Sequence, residues 1–101
     1  MTYRLVFREQ VADDAARAHA YYEARSAGLG NEFLELFYSS ARDIVRNPLL
    51  YRVVHRDFRR RLLPRFPYAV YYRVLKEEVA VCGLFHCARD PSTTIRSLDA
   101  R

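Results

Sequence analysis

Apolar and polar positions recur with two different periods along the chain, and the change of period separates predicted helices from predicted strands. At the start, the short apolar run YRLVF (3–7) predicts an edge strand. From Glu9 to about Ala27, apolar side chains recur at spacings of three and four, which predicts an amphipathic helix. The apolar stripe of this helix consists of Val11, Ala15, Ala18 and Tyr22.

A second helical pattern follows the glycine-rich segment SAGLGN (26–31) and continues to about Arg46. Its apolar stripe is formed by Phe33, Leu36, Phe37, Ser40, Ala41 and Ile44. Asn47-Pro48 ends the pattern, because the residue before a proline is disfavoured in the α conformation. Two amphipathic helices joined by so short a turn are expected to form an antiparallel hairpin with facing apolar stripes.

In the second half of the chain the period shortens to two or gives way to continuous apolar runs, which predicts strands. VVHRD (53–57) is compatible with a strand or with a loop. FRRRLL (58–63) and YAVYYRVL (68–75) predict two strands, and the prolines of PRFP between them keep that connection out of the ladder. VAVCGLFHC (79–87) has apolar residues at both its odd and its even positions, which is typical of a central strand covered on both faces.

The predicted elements follow the order β-α-α-β-β-β, so we expect an α+β fold: an N-terminal strand, then a helical hairpin packed on a small antiparallel sheet. A length of 101 residues is near the commonest domain size, and residues 1–101 are expected to form a single domain. No apolar run approaches the roughly 20 residues of a membrane span. The first ten residues lack the features of a secretory signal. We therefore expect a cytoplasmic protein without a membrane partner.

Positive charge is concentrated in the second half of the chain, whose most basic stretch is the run Arg59–Arg61. The formal net charge is +5; residues 1–47 carry six basic and seven acidic side chains, and residues 48–101 carry eleven and five. Arg65 and Arg73 lie close to the run in sequence. Such a segment is either a solvated, charge-guarded sheet edge or a surface on which arginines converge to bind an acidic partner.

Few other side chains offer chemistry. His86, at the end of the last predicted strand, could transfer a proton near neutral pH or could equally donate a hydrogen bond to a neighbouring carbonyl, whereas His19 and His55 are interpreted as surface residues. Cys82 and Cys87 are too far apart along one strand for a disulfide and are expected to be reduced, small hydrophobes. The spacing of these residues matches no zinc site and there is no phosphate-binding loop, so we expect no metal and no other cofactor.

Binding of nucleic acid by the chain alone is not favoured by its pattern. Tyr68, Tyr71 and Tyr72 could stack on bases, but tyrosine is also an ordinary strand residue. The sequence contains no helix-turn-helix or zinc-finger pattern.

Taken in order, these features resemble the RelE/ParE superfamily of bacterial toxins over roughly residues 3–91. The most specific parts are the RR-x-LL-x-RFPY-x-V-x-Y run (59–72) and the closing H-x-x-R-D-P (86–91). The resemblance implies a helical hairpin packed against an antiparallel sheet. It also implies the toxin of a type II toxin–antitoxin (plasmid stabilisation) system, held in a hetero-oligomer by a cognate antitoxin that is often of the ribbon-helix-helix type.

Two activities occur in the superfamily: RelE-like members cut messenger RNA in the ribosome, and ParE-like members inhibit DNA gyrase. Here no tyrosine follows Tyr72 and Lys76 is the only lysine. His86 is therefore the single candidate for acid–base chemistry. An endoribonuclease would depend on His86, Arg61, Arg73 and Arg89. The resemblance to the ParE branch favours a gyrase inhibitor rather than an enzyme; the alternatives are a RelE-like endonuclease and a non-toxic basic binding module.

The resemblance also implies a surface that binds the target or the antitoxin. Its candidate residues are Arg59, Arg60, Arg61, Arg65, Arg73, His86 and Arg89. The large apolar side chains Phe33, Phe37 and Ile44 are expected to belong either to the core or to a groove for the antitoxin.

Overall fold

A computed structural model describes residues 2–101, which form five strands and three helices. The elements are β1 (Arg4–Phe7), α1 (Gln10–Arg25), α2 (Leu29–Arg46), β2 (Arg52–His55), β3 (Phe58–Leu62), β4 (Tyr68–Leu75), β5 (Glu78–His86) and α3 (Pro91–Ala100). The fold class and the predicted order are confirmed, and the segment that was compatible with either strand or loop is the strand β2. Within these residues, no helix combines the length and the apolar character needed to cross a membrane.

The sheet has the order β1-β5-β4-β3-β2, so β1 is an edge strand and β5 lies in the interior, as expected. Strands β2 to β5 are antiparallel neighbours, but β1 runs parallel to β5, so the sheet is mixed rather than wholly antiparallel. The sequence did not predict this direction, because the chain between β1 and β5 is long enough to bring β5 back in either sense.

The helical hairpin packs on one face of the sheet and forms the main core. Phe33, Phe37 and Ile44 are at most 1% exposed, so they belong to the core and are not available as a groove for a partner. Tyr22 stacks on Phe33 and meets Phe66 edge-to-face, at centroid distances of 5.4 and 4.8 Å. Each fully buried side chain of this size stabilises the fold by roughly 1.5–3 kcal/mol.

Helix α3 covers the other face of the sheet and was not predicted. Asp90 caps it by accepting a hydrogen bond from the Ser92 N–H, and Pro91 occupies its first turn. Leu98 is 2% exposed against the sheet. Apart from its cap, the segment is rich in Ser and Thr and has few apolar positions, so its helical period is weak. The Asp-Pro pair was the available indication of a helix start.

A β-bulge in β5 changes which side chains reach each face. Tyr71 pairs with Gly83 and Tyr72 pairs with Val81, which leaves Cys82 as an extra residue. A Cβ atom on Gly83 would come within 2.6 Å of the Phe85 ring, so a larger residue here would displace that ring.

The two cysteines differ in environment, although both are free thiols. Cys82 is 2% exposed and burial raises the pKa of its thiol, as expected for a packed, unreactive cysteine. Cys87 lies just beyond β5 and is exposed, so the expectation that it packs as a small hydrophobe is wrong.

A buried ion pair completes the hydrogen bonding of β5 where β1 ends. The pairing of β1 with β5 stops at Val81. Beyond it, the Asp14 carboxylate accepts a hydrogen bond from the Leu84 N–H at 3.2 Å, and Arg101 donates to the Cys82 carbonyl at 3.0 Å. Arg101 also binds Asp14 through both terminal nitrogens, at 2.6 and 3.1 Å. The pair thus satisfies backbone groups that an edge would leave open.

Replacing Asp14 with Asn is expected to lower the free energy of unfolding by about 3 kcal/mol, because Arg101 then lacks its counter-charge at a mostly buried position. Urea denaturation measures the change. The matched control is Asp13→Asn, which alters an exposed carboxylate in the same turn and should cost below about 1 kcal/mol. Equal losses in the two variants would contradict a stabilising role for the pair.

The stability of the fold is expected to fall at high pH through Tyr72. This residue is fully buried, its hydroxyl donates to the Pro48 carbonyl at 2.5 Å, and burial raises its pKa to about 12. Because the unfolded phenol titrates near pH 10, the stabilisation is complete below pH 10 and is lost as the pH rises towards 12. Between pH 9 and 11.5 the Tyr72 contribution should fall by about 2 kcal/mol.

The comparison variant for this pH effect is Tyr72→Phe, measured by urea denaturation at both pH values. It should be less stable at pH 9 by about 1 kcal/mol, since it lacks one buried hydrogen bond, and should lose less stability on going to pH 11.5. Parallel losses in the two proteins would exclude Tyr72 as the cause.

Candidate functional site

The arginines predicted to bind a partner are divided between the two faces of the sheet. Opposed residues of an antiparallel pair share a face. Arg59 lies opposite Tyr72 on the side of the helical hairpin, whereas Arg60 lies opposite Tyr71 on the side of α3. Arg61 shares the face of Arg59. This division is the one expected for an extended strand, in which successive side chains alternate in direction, so the three arginines of the run do not form one surface.

On the hairpin side, Arg59 and Arg61 bind groups of their own chain. Arg59 donates to the carbonyls of Leu49 and Tyr51, at 3.3 and 2.7 Å, and so holds the segment after α2. Arg61 donates to the Asp43 carboxylate of α2 at 2.9 Å and has 18% of its side chain exposed. These two side chains join the sheet to the helical layer, and their charge is already engaged.

Arg65 and Arg73 also have acidic partners within the chain. Arg65 lies 3.2 Å from Glu32 in an exposed pair. Arg73 lies 3.0 Å from Asp57 and stands over the ring of Phe58 at 4.9 Å. Exposed pairs of this kind contribute roughly 0–1 kcal/mol, so an acidic partner protein could replace the internal carboxylate at little cost.

Arg60 differs from these arginines because its side chain makes no hydrogen bond or ion pair with any of residues 2–101. Directly opposite it in the β2–β3 pair is Arg52, which likewise has no such partner among them. Like charges placed opposite each other on neighbouring strands repel and destabilise the pair. The sequence could not reveal this pairing, because the register depends on an irregularity between Val53 and His55.

Arg60 lines a cavity of about 150 Å³ between α3 and the sheet. Its polar lining consists of His55, Arg60, Tyr71, His86, Arg89 and Thr94. Three of the predicted site residues, Arg60, His86 and Arg89, are therefore brought together. His55, interpreted from sequence as a surface residue, and Thr94, on the helix that was not predicted, were missed.

The positive charge of this cavity is only partly neutralised. Arg89 donates to the Ser97 hydroxyl at 2.8 Å and stands over the Phe85 ring at 4.1 Å, both neutral partners. The nearby carboxylate of Asp99 is bound by His55 at 2.9 Å and by Arg56 at 3.2 Å. These contacts, above all the hydrogen bond from His55, lower the pKa of Asp99, so it is ionised but already engaged.

His86 presents a hydrogen-bond donor to its surroundings. Its Nδ1 atom accepts a hydrogen bond from the Ala88 N–H at 2.9 Å, and an amide N–H can only donate. The proton of the neutral ring is therefore on Nε2. In this geometry the exposed nitrogen can donate to an anion but cannot accept a proton, so neutral His86 is not a general base through Nε2.

No cluster of three or more His, Cys, Asp or Glu side chains suited to a metal ion is found in the part of the chain that the structure describes. The chemistry of the cavity is instead that of an anion site: its polar groups include two guanidinium groups and the Nε2–H donor of His86.

The arginines should separate into structural and free ones when their stability effects are compared. Arg61→Gln is expected to lower the free energy of unfolding by about 1–2 kcal/mol, because it removes a charge-assisted bond to Asp43. Arg60→Gln should change it by less than about 0.5 kcal/mol, with any change towards higher stability, since repulsion from Arg52 is relieved. Urea denaturation of both variants tests this division, and equal losses would contradict it.

Comparison with solved structures identifies chains of similar fold in bacterial toxin–antitoxin proteins. The chain is similar to a chain of the chromosomal ParDE TA system from P. aeruginosa, with a TM-score of 0.75 and 14% identity, covering 84% of this chain and 96% of that one. It is also similar to an arginine-to-alanine mutant of the E. coli toxin RelE in the free state, with a TM-score of 0.59, 15% identity and coverage of 99% and 98%. At such low identity these likenesses show the fold alone.

Sequence comparison gives the family. No curated protein matches the chain significantly. A family model described as the ParE toxin of the type II toxin–antitoxin system, parDE, matches residues 5–91 and so spans most of the chain. This match confirms the resemblance to the ParE branch of the RelE/ParE superfamily. The chain belongs to the ParE toxin family of type II toxin–antitoxin systems.

Proposed function

We propose that this chain is a toxin that inhibits DNA gyrase in the cytoplasm and is neutralised by a cognate antitoxin in a hetero-oligomeric complex. Family membership supports the toxin–antitoxin role. The gyrase target follows from the resemblance to the ParE branch.

The observation that carries the proposal is the unneutralised charge on the α3 side of the sheet. Arg60 and Arg52 face each other without a carboxylate, and Arg89 has only neutral partners. This arrangement suits a surface that binds another macromolecule, because an acidic group from the partner would relieve the repulsion. The arginines alone do not supply a general base for RNA cleavage, since guanidinium groups do not lose their proton.

A ribosome-dependent endonuclease is the second candidate, and one observation favours it: His86, Arg60 and Arg89 line the same cavity. The fold is also similar over 99% of this chain to E. coli RelE. Against this candidate, Nδ1 of His86 is occupied by the Ala88 N–H, so the ring offers a donor and no acceptor to a ribose hydroxyl.

Antitoxin binding is expected to depend on the same charge. An acidic segment approaching the basic half of the chain would be steered electrostatically, which raises the association rate and makes it sensitive to salt. The exposed Arg65–Glu32 pair, on the other face of the sheet, could exchange its internal partner for one from the antitoxin.

The proposal is tested with the purified chain in a gyrase supercoiling and cleavage assay, run beside cleavage of ribosome-bound mRNA. We expect inhibition of gyrase with intact message. Charge reversal by Arg60→Glu with Arg89→Glu should weaken inhibition at least tenfold, because the partner's acidic groups then meet like charge.

The matched control is the double variant Arg42→Glu with Arg46→Glu, which makes the same charge change on α2, away from the cavity. It should inhibit gyrase within about twofold of the unchanged protein. Far-ultraviolet circular dichroism confirms that both double variants are folded. Cleaved message with unaffected gyrase would establish the endonuclease instead.

A further inference from the structure

We infer that the cavity between α3 and the sheet binds the carboxylate of one acidic side chain supplied by a protein partner. The inference rests on the proposed function, in which this side of the sheet contacts the antitoxin or the target, and narrows it to a single pocket and a single chemical group.

The first argument is charge. Arg60, on the cavity wall, faces Arg52 across the β2–β3 pair, and neither has an ionic partner among residues 2–101. The acidic side chain of α3, Asp99, is bound to His55 and Arg56 instead. A single carboxylate can accept two parallel hydrogen bonds from one guanidinium, so it would neutralise Arg60 and remove the repulsion across the strands.

The second argument is the set of hydrogen-bond donors. Tyr71 and Thr94 line the cavity, and their hydroxyls are accessible to solvent and make no hydrogen bond to any of the described residues. Together with Arg60, Arg89 and the Nε2–H of His86, they form a cavity whose polar side chains can all donate, which matches a group that only accepts.

The third argument is size and rim. At about 150 Å³ the cavity is large enough for a carboxymethyl group. Val54 and Ile95 line it and are 38% and 37% exposed, so an aliphatic rim surrounds the cationic interior. Apolar surface around arginine is typical of protein interfaces. The exposed aromatic side chains that could stack on bases lie elsewhere in the described residues, on β1, α1 and α2: Phe7, Tyr21 and Tyr38.

These three features identify the ligand as an acidic residue flanked by aliphatic ones, in a segment from the partner. The acidic side chain would enter between α3 and the sheet, and its neighbours would cover the rim. A phosphate group would match the donors equally well, but the nucleotides attached to it would meet aliphatic side chains without a stacking surface.

The test uses the full chain labelled with ¹⁵N, and the probes are the peptide acetyl-Leu-Glu-Leu-amide and its Gln counterpart. Nuclear magnetic resonance records the Nε–Hε signals of Arg60 and Arg89, assigned from the variants Arg60→Gln and Arg89→Gln. The Glu peptide should shift both signals saturably. The Gln peptide should bind at least tenfold more weakly, since it lacks the charge.

The variant Arg60→Gln should weaken binding of the Glu peptide at least tenfold, while Arg42→Gln, the matched control on α2, should leave it unchanged. The backbone amide spectrum shows whether each variant is folded. Should Arg60→Gln disturb the fold, Tyr71→Phe and Thr94→Val together serve as the second variant. They remove two donors without changing the charge and are expected to weaken binding about threefold or more.

Equal binding of the Glu and Gln peptides, or no shift at Arg60, would overturn the inference. A uridine trinucleotide that shifts the same signals at lower concentration than the Glu peptide would overturn it in favour of nucleic acid. The outcome is independent of the gyrase assay. If the Glu peptide does not bind but the chain inhibits gyrase, only the carboxylate pocket is disproved. If the Glu peptide binds but gyrase is unaffected, only the gyrase target is disproved.

Discussion

The buried ion pair between Asp14 and Arg101 is the contact on which the arrangement of the other elements depends. It joins α1, the residue after α3 and the part of β5 that β1 does not reach, so three segments meet at one carboxylate. Unpaired backbone groups at these buried positions would cost free energy. Because Arg101 also stands over the Phe85 ring at 4.8 Å, the pair helps to position α3 above the sheet and so to close the cavity around Arg60.

Arginine acts in two ways in this fold, and the difference lies in what faces each guanidinium. Where a carbonyl or carboxylate of the chain is within reach, as for Arg59 and Arg61, arginine fastens one layer to another. Where only another arginine or neutral groups are present, as for Arg60 and Arg89, the guanidinium has no counter-charge among the described residues. Under our proposal, an acidic group of the partner supplies this missing counter-charge.

The sequence predicted those elements whose period is strong and whose ends are marked by glycine or proline. The bounds of β4 agree at both ends, because Pro67 precedes it and a polar turn follows. Helix α3 was missed since its apolar positions are few. Of the residues that the sequence proposed for the site, Arg60, His86 and Arg89 line one cavity, and the other four arginines lie outside it. The opposition of Arg60 and Arg52 depends on strand register, which composition and spacing do not encode.

The bulge at Cys82 has a consequence for the whole far end of β5. Strict alternation from Val81 would turn Leu84 towards α3 and Phe85 towards the hairpin. Because of the additional residue, Leu84 packs on the hairpin side and Phe85 on the α3 side. Phe85 thereby becomes the aromatic platform beneath Arg89. In a homologue shortened by one residue at this point, Leu84 would face α3 and Phe85 would face the hairpin. The length of a single strand therefore decides which face of the sheet receives the Phe85 ring.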